Sequence, residues 1–128
     1  MNVPEIKSVE TLLIAYKNGQ RHFKNWDFGE DESVAGIDLS GAIFESCFMF
    51  LDFNNANLSN VQFLSCNIKT ADFSGANLTN ATIKDCCVEG TIYTDAITDN
   101  IIFENNGYYG INLIQKDFNL LIDVSSKT

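Results

Sequence analysis

Large apolar residues return at every fifth position over most of the chain, and small or polar residues fill the places between. From residue 56 the sequence reads ANLSN, VQFLS, CNIKT, ADFSG, ANLTN, ATIKD, CCVEG, TIYTD, AITDN and IIFEN. The first position of each block is small or apolar. The third is in turn Leu58, Phe63, Ile68, Phe73, Leu78, Ile83, Val88, Tyr93, Thr98 and Phe103, large and apolar except at Thr98. The same grammar runs upstream through RHFKN at 21, WDFGE at 26, IDLSG at 37, AIFES at 42, CFMF at 47 and LDFNN at 51. Two slips interrupt it: one extra residue within 31–36, and one residue missing from the block at 47.

A period of five suits neither the 3.6-residue helix nor the 2.0-residue strand. It suits a chain that turns a corner every five residues, so that four corners close a square coil of about twenty. First and third positions then point inward, and second, fourth and fifth positions point outward. Successive coils stack by parallel backbone pairing at about 4.8 Å. With the slips corrected, one face is predicted to stack Phe23, Phe44, Phe63, Ile83 and Phe103, and the next Phe28, Met49, Ile68, Val88 and Tyr108. The third stacks Val34, Phe53, Phe73 and Tyr93, and the fourth Leu39, Leu58, Leu78 and Thr98. Ala56, Ala76 and Ala96 form a column of small residues, because a narrow interior has no room for two bulky layers. The third positions from Phe23 to Tyr108 amount to about 4.5 coils.

ANLSN, ADFSG and ANLTN match A-(D/N)-L/F-x-x, and on these blocks the region 21–108 resembles the pentapeptide-repeat family. The resemblance implies an all-β fold, a right-handed quadrilateral parallel β-helix. EDESVAG at 30–36 and Thr98 depart from the pattern.

A solenoid needs caps, because its end coils cannot bury themselves. In the segment 1–20, SVETLLIAYKNG (8–19) predicts a short capping helix: Ser8 as N-cap, Gly19 at the stop, and Val9, Leu12, Leu13 and Tyr16 on one apolar face. The other end is less regular. Ile92, Ile97 and Ile102 occupy outward second positions, where earlier coils carry residues such as Asp52, Asp72, Asn57 and Asn77. Something is expected to cover these isoleucines. The apolar tail, residues 109–128, is expected either to fold back over the last coil or to pair with a second copy. Family resemblance favours a homodimer through the C-terminal end. Phe48 and Phe50 flank the short block. They either bury each other at the slip or form a partner-binding spot.

Little here suggests catalysis. Cys47, Cys66 and Cys86 fall in one inward column with spacings of 19 and 20, Trp26 beginning it and Asn106 continuing it. Three stacked thiols bring a soft metal to mind. Yet cysteine is also a small hydrophobe filling a site that alanine fills elsewhere, and no metal or other cofactor is expected. Cys87 is a second-position residue and faces solvent. The one histidine, His22, sits outside with no nucleophile at a recognisable spacing. A filled square tube has no pocket of its own, and no phosphate-loop, dinucleotide, zinc or EF-hand pattern is present. An enzyme is not expected.

Composition changes the picture in one respect. Of 128 residues, 17 are acidic and 8 basic, giving −9. Residues 25–108 alone hold thirteen acids and two bases, Lys69 and Lys84, for −11, so the acidity belongs to the solenoid. That excludes direct nucleic-acid binding, and no apolar run approaches the roughly 18 residues of a membrane span. Glu5, Lys7 and Glu10 argue against a signal peptide, so the expected location is cytoplasmic.

The functional expectation is a non-enzymatic acidic interaction module that binds another protein. Its candidate surface is Phe48, Phe50, Ile92, Ile97 and Ile102 together with the wall acids Asp38, Asp52, Asp72, Asp85, Asp95 and Asp99. Family resemblance supplies an alternative: some pentapeptide-repeat proteins mimic duplex DNA and bind the type II topoisomerases DNA gyrase and topoisomerase IV. Against it, about 4.5 coils span only about 20 Å, or roughly six base pairs. Size and charge also suit a small immunity or antitoxin protein that neutralises a basic toxin.

Overall fold

The computed structural model describes residues 3–126, with side chains as far as Ile122. Strand β1 (Glu5–Ile6) leads into helix α1 (Val9–Lys17), and the solenoid follows. Its first face is a parallel five-stranded sheet of β2 (His22–Lys24), β4 (Ile43–Glu45), β5 (Gln62–Leu64), β6 (Thr82–Lys84) and β7 (Ile102–Glu104); β3 (Trp26–Asp27) begins the second face. The other faces are single-residue parallel bridges, such as Asp52 to Asp72 to Ile92 and Asn57 to Asn77 to Ile97. Five-residue blocks leave each face only two or three extended residues, so every strand is short.

The register is the one the sequence predicts. Phe23, Phe44, Phe63, Ile83 and Phe103 lie in line, and Phe44, Phe63 and Ile83 are fully buried. Phe53 stacks on Phe73 at 4.9 Å and Phe73 on Tyr93 at 5.4 Å, with rings nearly parallel. First positions Ala56, Ala71, Ala76 and Ala81 are equally buried, whereas Ala96 in the last coil is not. Both slips fall on the same corner. The longer link runs from Phe28 to Val34, and the shorter one lies directly above it from Met49 to Phe53.

The corners depend on residues that tolerate a left-handed backbone. Fifth positions such as Asn55, Asn60, Asn80 and Asn100 all have φ near +60°, where only glycine and short polar residues sit cheaply. At three of the four corners the first-position N–H donates to the preceding third-position carbonyl, as in Ala76 N to Phe73 O at 2.9 Å and Ala81 N to Leu78 O at 3.0 Å. This is a type II turn.

Below the first coil, the Ser8 hydroxyl accepts from Thr11 N–H and starts α1, which buries Val9 and Leu12. The Tyr16 hydroxyl donates to Ser40 O at 2.8 Å, and the Arg21 guanidinium lies over the Tyr16 ring. β1 adds a rung beneath Trp26 and Asp27.

At the top, the tail folds over its own last coil. Strands β8 (Asn106–Tyr108) and β9 (Ile111–Leu113) form an antiparallel hairpin, followed by a 3-10 turn (Gln115–Asp117) and α2 (Phe118–Ser126). Phe118 lies 5.3 Å from Tyr93 and 5.0 Å from Phe103, and it is buried with Leu121. The isoleucines are not what the tail covers: Ile97 remains 48% and Ile102 46% exposed.

Phe63 lies at the centre of the stack, 5.6 Å from Phe44 and edge-on to Phe53 and Phe73. Phe63→Ala is therefore expected to lower the unfolding free energy by about 3–5 kcal/mol, as read from a guanidinium titration. A loss below about 1 kcal/mol would show that the column does not hold the coils together.

Candidate functional site

The wall acids divide into two sets once their hydrogen bonds are followed. Second-position carboxylates and amides reach forward to the N–H two residues on. Asp38 accepts from Ser40 at 2.9 Å, Asp52 from Asn54 at 2.8 Å and Asp72 from Ser74 at 2.9 Å. Asn57 and Asn77 do the same for Ser59 and Thr79. These are Asx turns, in which a short polar side chain holds the backbone entering a corner. Asp38, Asp52 and Asp72 thus shape the coil, and their carboxylates are partly spent on it. The Ser40 backbone N–H, followed by its hydroxyl, holds the Asp38 carboxyl below the usual aspartate range.

The remaining candidates, Asp85, Asp95 and Asp99, lie on exposed corners of the upper coils. Asp85 accepts from the Asn105 amide. The acids are also unevenly spread: of the thirteen in the solenoid, six fall in residues 25–45, two in 46–83 and five in 84–108. The two in the middle are Asp52 and Asp72, both used in turns, with Lys69 beside them in sequence. The wall is therefore acidic at its two ends and nearly neutral between. Glu45 pairs with His22 and Lys24, and Glu89 with Lys69. Asp95, Asp99 and Glu104 have no ion pair among the described residues.

One exposed apolar pair shares the last coil with these acids. Ile97 is on the fourth face of the last coil, and Ile102 begins the first face just past the Asp99–Asn100 corner. Asn57 and Asn77 lie below Ile97; Thr82, Gln62, Ile43 and His22 lie below Ile102, so the second column is already apolar at Ile43. Ile92, one face earlier, is half-buried. Phe48 and Phe50 lie elsewhere, half-buried with their rings 6.3 Å apart. Phe48 lines an open groove of about 630 Å³ along the first corner with Ser46, Ser65 and Cys87. Phe50 sits at the slipped corner beside Glu30 and Asp31.

The cysteine column does more than fill space. At the first corner the turn hydrogen bond is absent, which leaves the third-position carbonyl open. A side chain in the next coil closes it: Cys47 Sγ on Phe23 O at 3.4 Å, Cys66 Sγ on Phe44 O at 3.1 Å and Cys86 Sγ on Phe63 O at 3.2 Å. At the top Asn106 donates to Ile83 O at 2.9 Å and accepts from Cys86 N–H at 2.9 Å. Alanine cannot do this, which explains a donor-bearing column. The sequence carried the signal, since Asn106 continues the cysteine column, but not its meaning. The neighbouring Cys66 thiol, and burial after it, push the Cys47 thiol well above an ordinary one. Among the described residues no three His, Cys, Asp or Glu side chains converge for a metal ion.

The model of the family described as pentapeptide repeats matches residues 35–75 and 56–92, in eight copies. Residues 35–92 of the solenoid are thus pentapeptide repeats by this match. Among solved structures, two of QnrB1, a plasmid-mediated fluoroquinolone resistance protein, are 24% and 25% identical, each with a TM-score of 0.64. They match 66% of this chain but only 45% and 44% of their own, so the chain spans less than half their length. Rfr23, a pentapeptide-repeat protein from the cyanobacterium Cyanothece 51142, is 19% identical over 84% of both chains, with a TM-score of 0.63. No curated protein matches the sequence. No enzyme family is indicated.

Two measurements follow. Cys87 alone is expected to react with a chromogenic thiol reagent in the folded protein, and all four cysteines after denaturation, because the other three are buried. The depressed folded-state pKa of Asp38 means that its charge stabilises the fold above the ordinary aspartate value of about 3.9 and stops doing so as pH falls through the lower folded value. The advantage of wild type over Asp38→Asn, which keeps the turn acceptor, is therefore expected to shrink in thermal melts run from pH 5 towards pH 2.

Proposed function

We propose that this protein is a non-enzymatic interaction module that receives another protein on the outside of its last coil, around Ile97 and Ile102. One observation carries the reading. Two β-branched apolar side chains, Ile97 and Ile102, stand about half exposed on the last coil where the coil directly below carries the polar Asn77 and Thr82. An apolar site rimmed by charge is the usual form of a contact surface. Asp95, Asp99 and Glu104 around it call for a basic partner. A cytoplasmic setting, with its thiols kept reduced, is part of the proposal.

A second reading, DNA mimicry directed at a type II topoisomerase, is favoured by the likeness in fold to QnrB1. The short solenoid and the nearly neutral middle of the wall count against it, since a duplex mimic needs evenly repeated negative charge.

Affinity capture from a lysate of the source cells, read by quantitative mass spectrometry, is expected to retain a partner with wild type and with Phe48→Asp. An Ile97→Lys/Ile102→Lys double variant is expected to lose it. Equal capture by all three would overturn the proposed surface. Supercoiling assays test the second reading: inhibition of gyrase, or its rescue from a quinolone, would put mimicry first.

A further inference from the structure

We propose that the open upper edge of the fourth face, Ala96–Asn100, takes up an extended basic segment of the partner as an added β-strand. This rests on the interaction reading above and specifies how the partner is held.

Throughout the solenoid each fourth-face segment passes backbone groups to the coil above. Leu58 N–H donates to Asn77 O and Asn60 N–H to Thr79 O; one coil higher, Leu78 N–H donates to Ile97 O and Asn80 N–H to Asp99 O. In return, Asn77 N–H reaches Ala56 O and Ile97 N–H reaches Ala76 O. The corresponding groups of the last coil are the N–H of Thr98, the N–H of Asn100 and the C=O of Ala96. None has a hydrogen-bond partner among the described residues.

The described tail makes contacts with the other three faces of the last coil. On the first face, the Gln115 side chain accepts from Phe103 N–H at 2.8 Å and donates to Ile101 O at 3.1 Å, so its amide replaces a missing backbone rung. On the second, β9 pairs with β8. On the third, Phe118 lies against Tyr93. On the fourth no described residue bonds to the edge groups, and Ala96 and Thr98 are partly exposed where Ala56, Ala76, Leu58 and Leu78 are buried. An unpaired edge of this kind is a template for another strand.

Charge chooses the occupant. The edge is flanked by Asp95 and Asp99, with Glu104 a few residues further along the chain, and none of the three is paired with a cation among the described residues. Ile97 and Ile102 offer apolar contacts beside it. A strand alternating basic and apolar side chains meets both demands. A second copy of this chain would set its own rim acids against these, in a protein of net charge −9.

The test uses a fluorescein-labelled ten-residue peptide of alternating lysine and valine, with fluorescence anisotropy at 150 mM salt. Wild type is expected to bind it, and Ile97→Lys and Thr98→Pro are each expected to weaken binding about tenfold; Thr98→Pro deletes one edge donor. A proline-substituted peptide of equal charge is expected not to bind. Amide exchange followed by NMR gives a readout on unmodified protein: Thr98 and Asn100 should exchange fast in the free protein and become protected with the peptide. If Ile97→Lys weakens binding while the proline peptide and Thr98→Pro bind as well as their counterparts, the surface stands and strand addition is wrong. If no peptide binds at millimolar concentration, strand addition is overturned. In that case capture by the Ile97→Lys/Ile102→Lys variant still decides the surface. A dimer by light scattering, with both amides protected in the absence of peptide, would make the occupant a second copy and overturn the proposal.

Discussion

Every feature of this molecule depends on one backbone requirement: the chain must enter the left-handed region at a corner every five residues. A corner costs least with glycine, asparagine or aspartate, and six of the fifteen asparagines, Asn25, Asn55, Asn60, Asn80, Asn100 and Asn105, take that conformation. The requirement also sets the interior. Two inward positions per block, one small and one large, fill a square section with little space between layers. It sets the walls as well, because the residue ahead of each corner is best as a short acceptor that can hold the turn. Asp38, Asp52, Asp72, Asn57 and Asn77 are there for that purpose.

Where the regular pattern leaves a backbone group without its partner, a side chain stands in. At the first corner, thiols take the carbonyls left open by the missing turn bond. At the top of that column, Asn106 takes the Ile83 carbonyl as a thiol does in the coils below and also accepts from the Cys86 N–H. One face round, the Gln115 amide imitates a whole rung at the end of the first sheet. The three devices differ in chemistry and share a cause: a buried or edge polar group left unpaired is costly, typically about 1–3 kcal/mol. The terminal cap is thus a set of polar completions as much as an apolar lid.

The repeat, the four inward columns and both slips were legible in the sequence, because a five-residue period fixes side-chain direction and coil register together. The acids were less so. Counting them located the charge on the solenoid, but the same letters serve a turn at Asp72 and stand free at Asp99, and only hydrogen bonding separates the two. The tail was hardest to read. Beyond Tyr108 no period remains, and the path of the chain is set by where Phe118 can dock, against Tyr93 and Phe103, which belong to different blocks. Its apolar content predicts a cover for the isoleucines, yet the Phe118 ring instead covers Tyr93 and Phe103 at the end of the interior. That site is larger and more apolar than anything on the wall.

This difference bears on function. In the column of Asn57 and Asn77, an asparagine supplies a turn bond worth about 1 kcal/mol. Ile97 gives up that bond and keeps its side chain half exposed, so the fold gains nothing evident from it. Thr98, next in sequence, replaces the leucine of Leu58 and Leu78 and weakens the column it ends. Both departures fall on the fourth face, beside acids that have no ion pair among the described residues. Changes that work against folding alone, gathered at an edge whose backbone groups have no partner among the described residues, are better explained by a second molecule that completes the coil than by drift in the repeat.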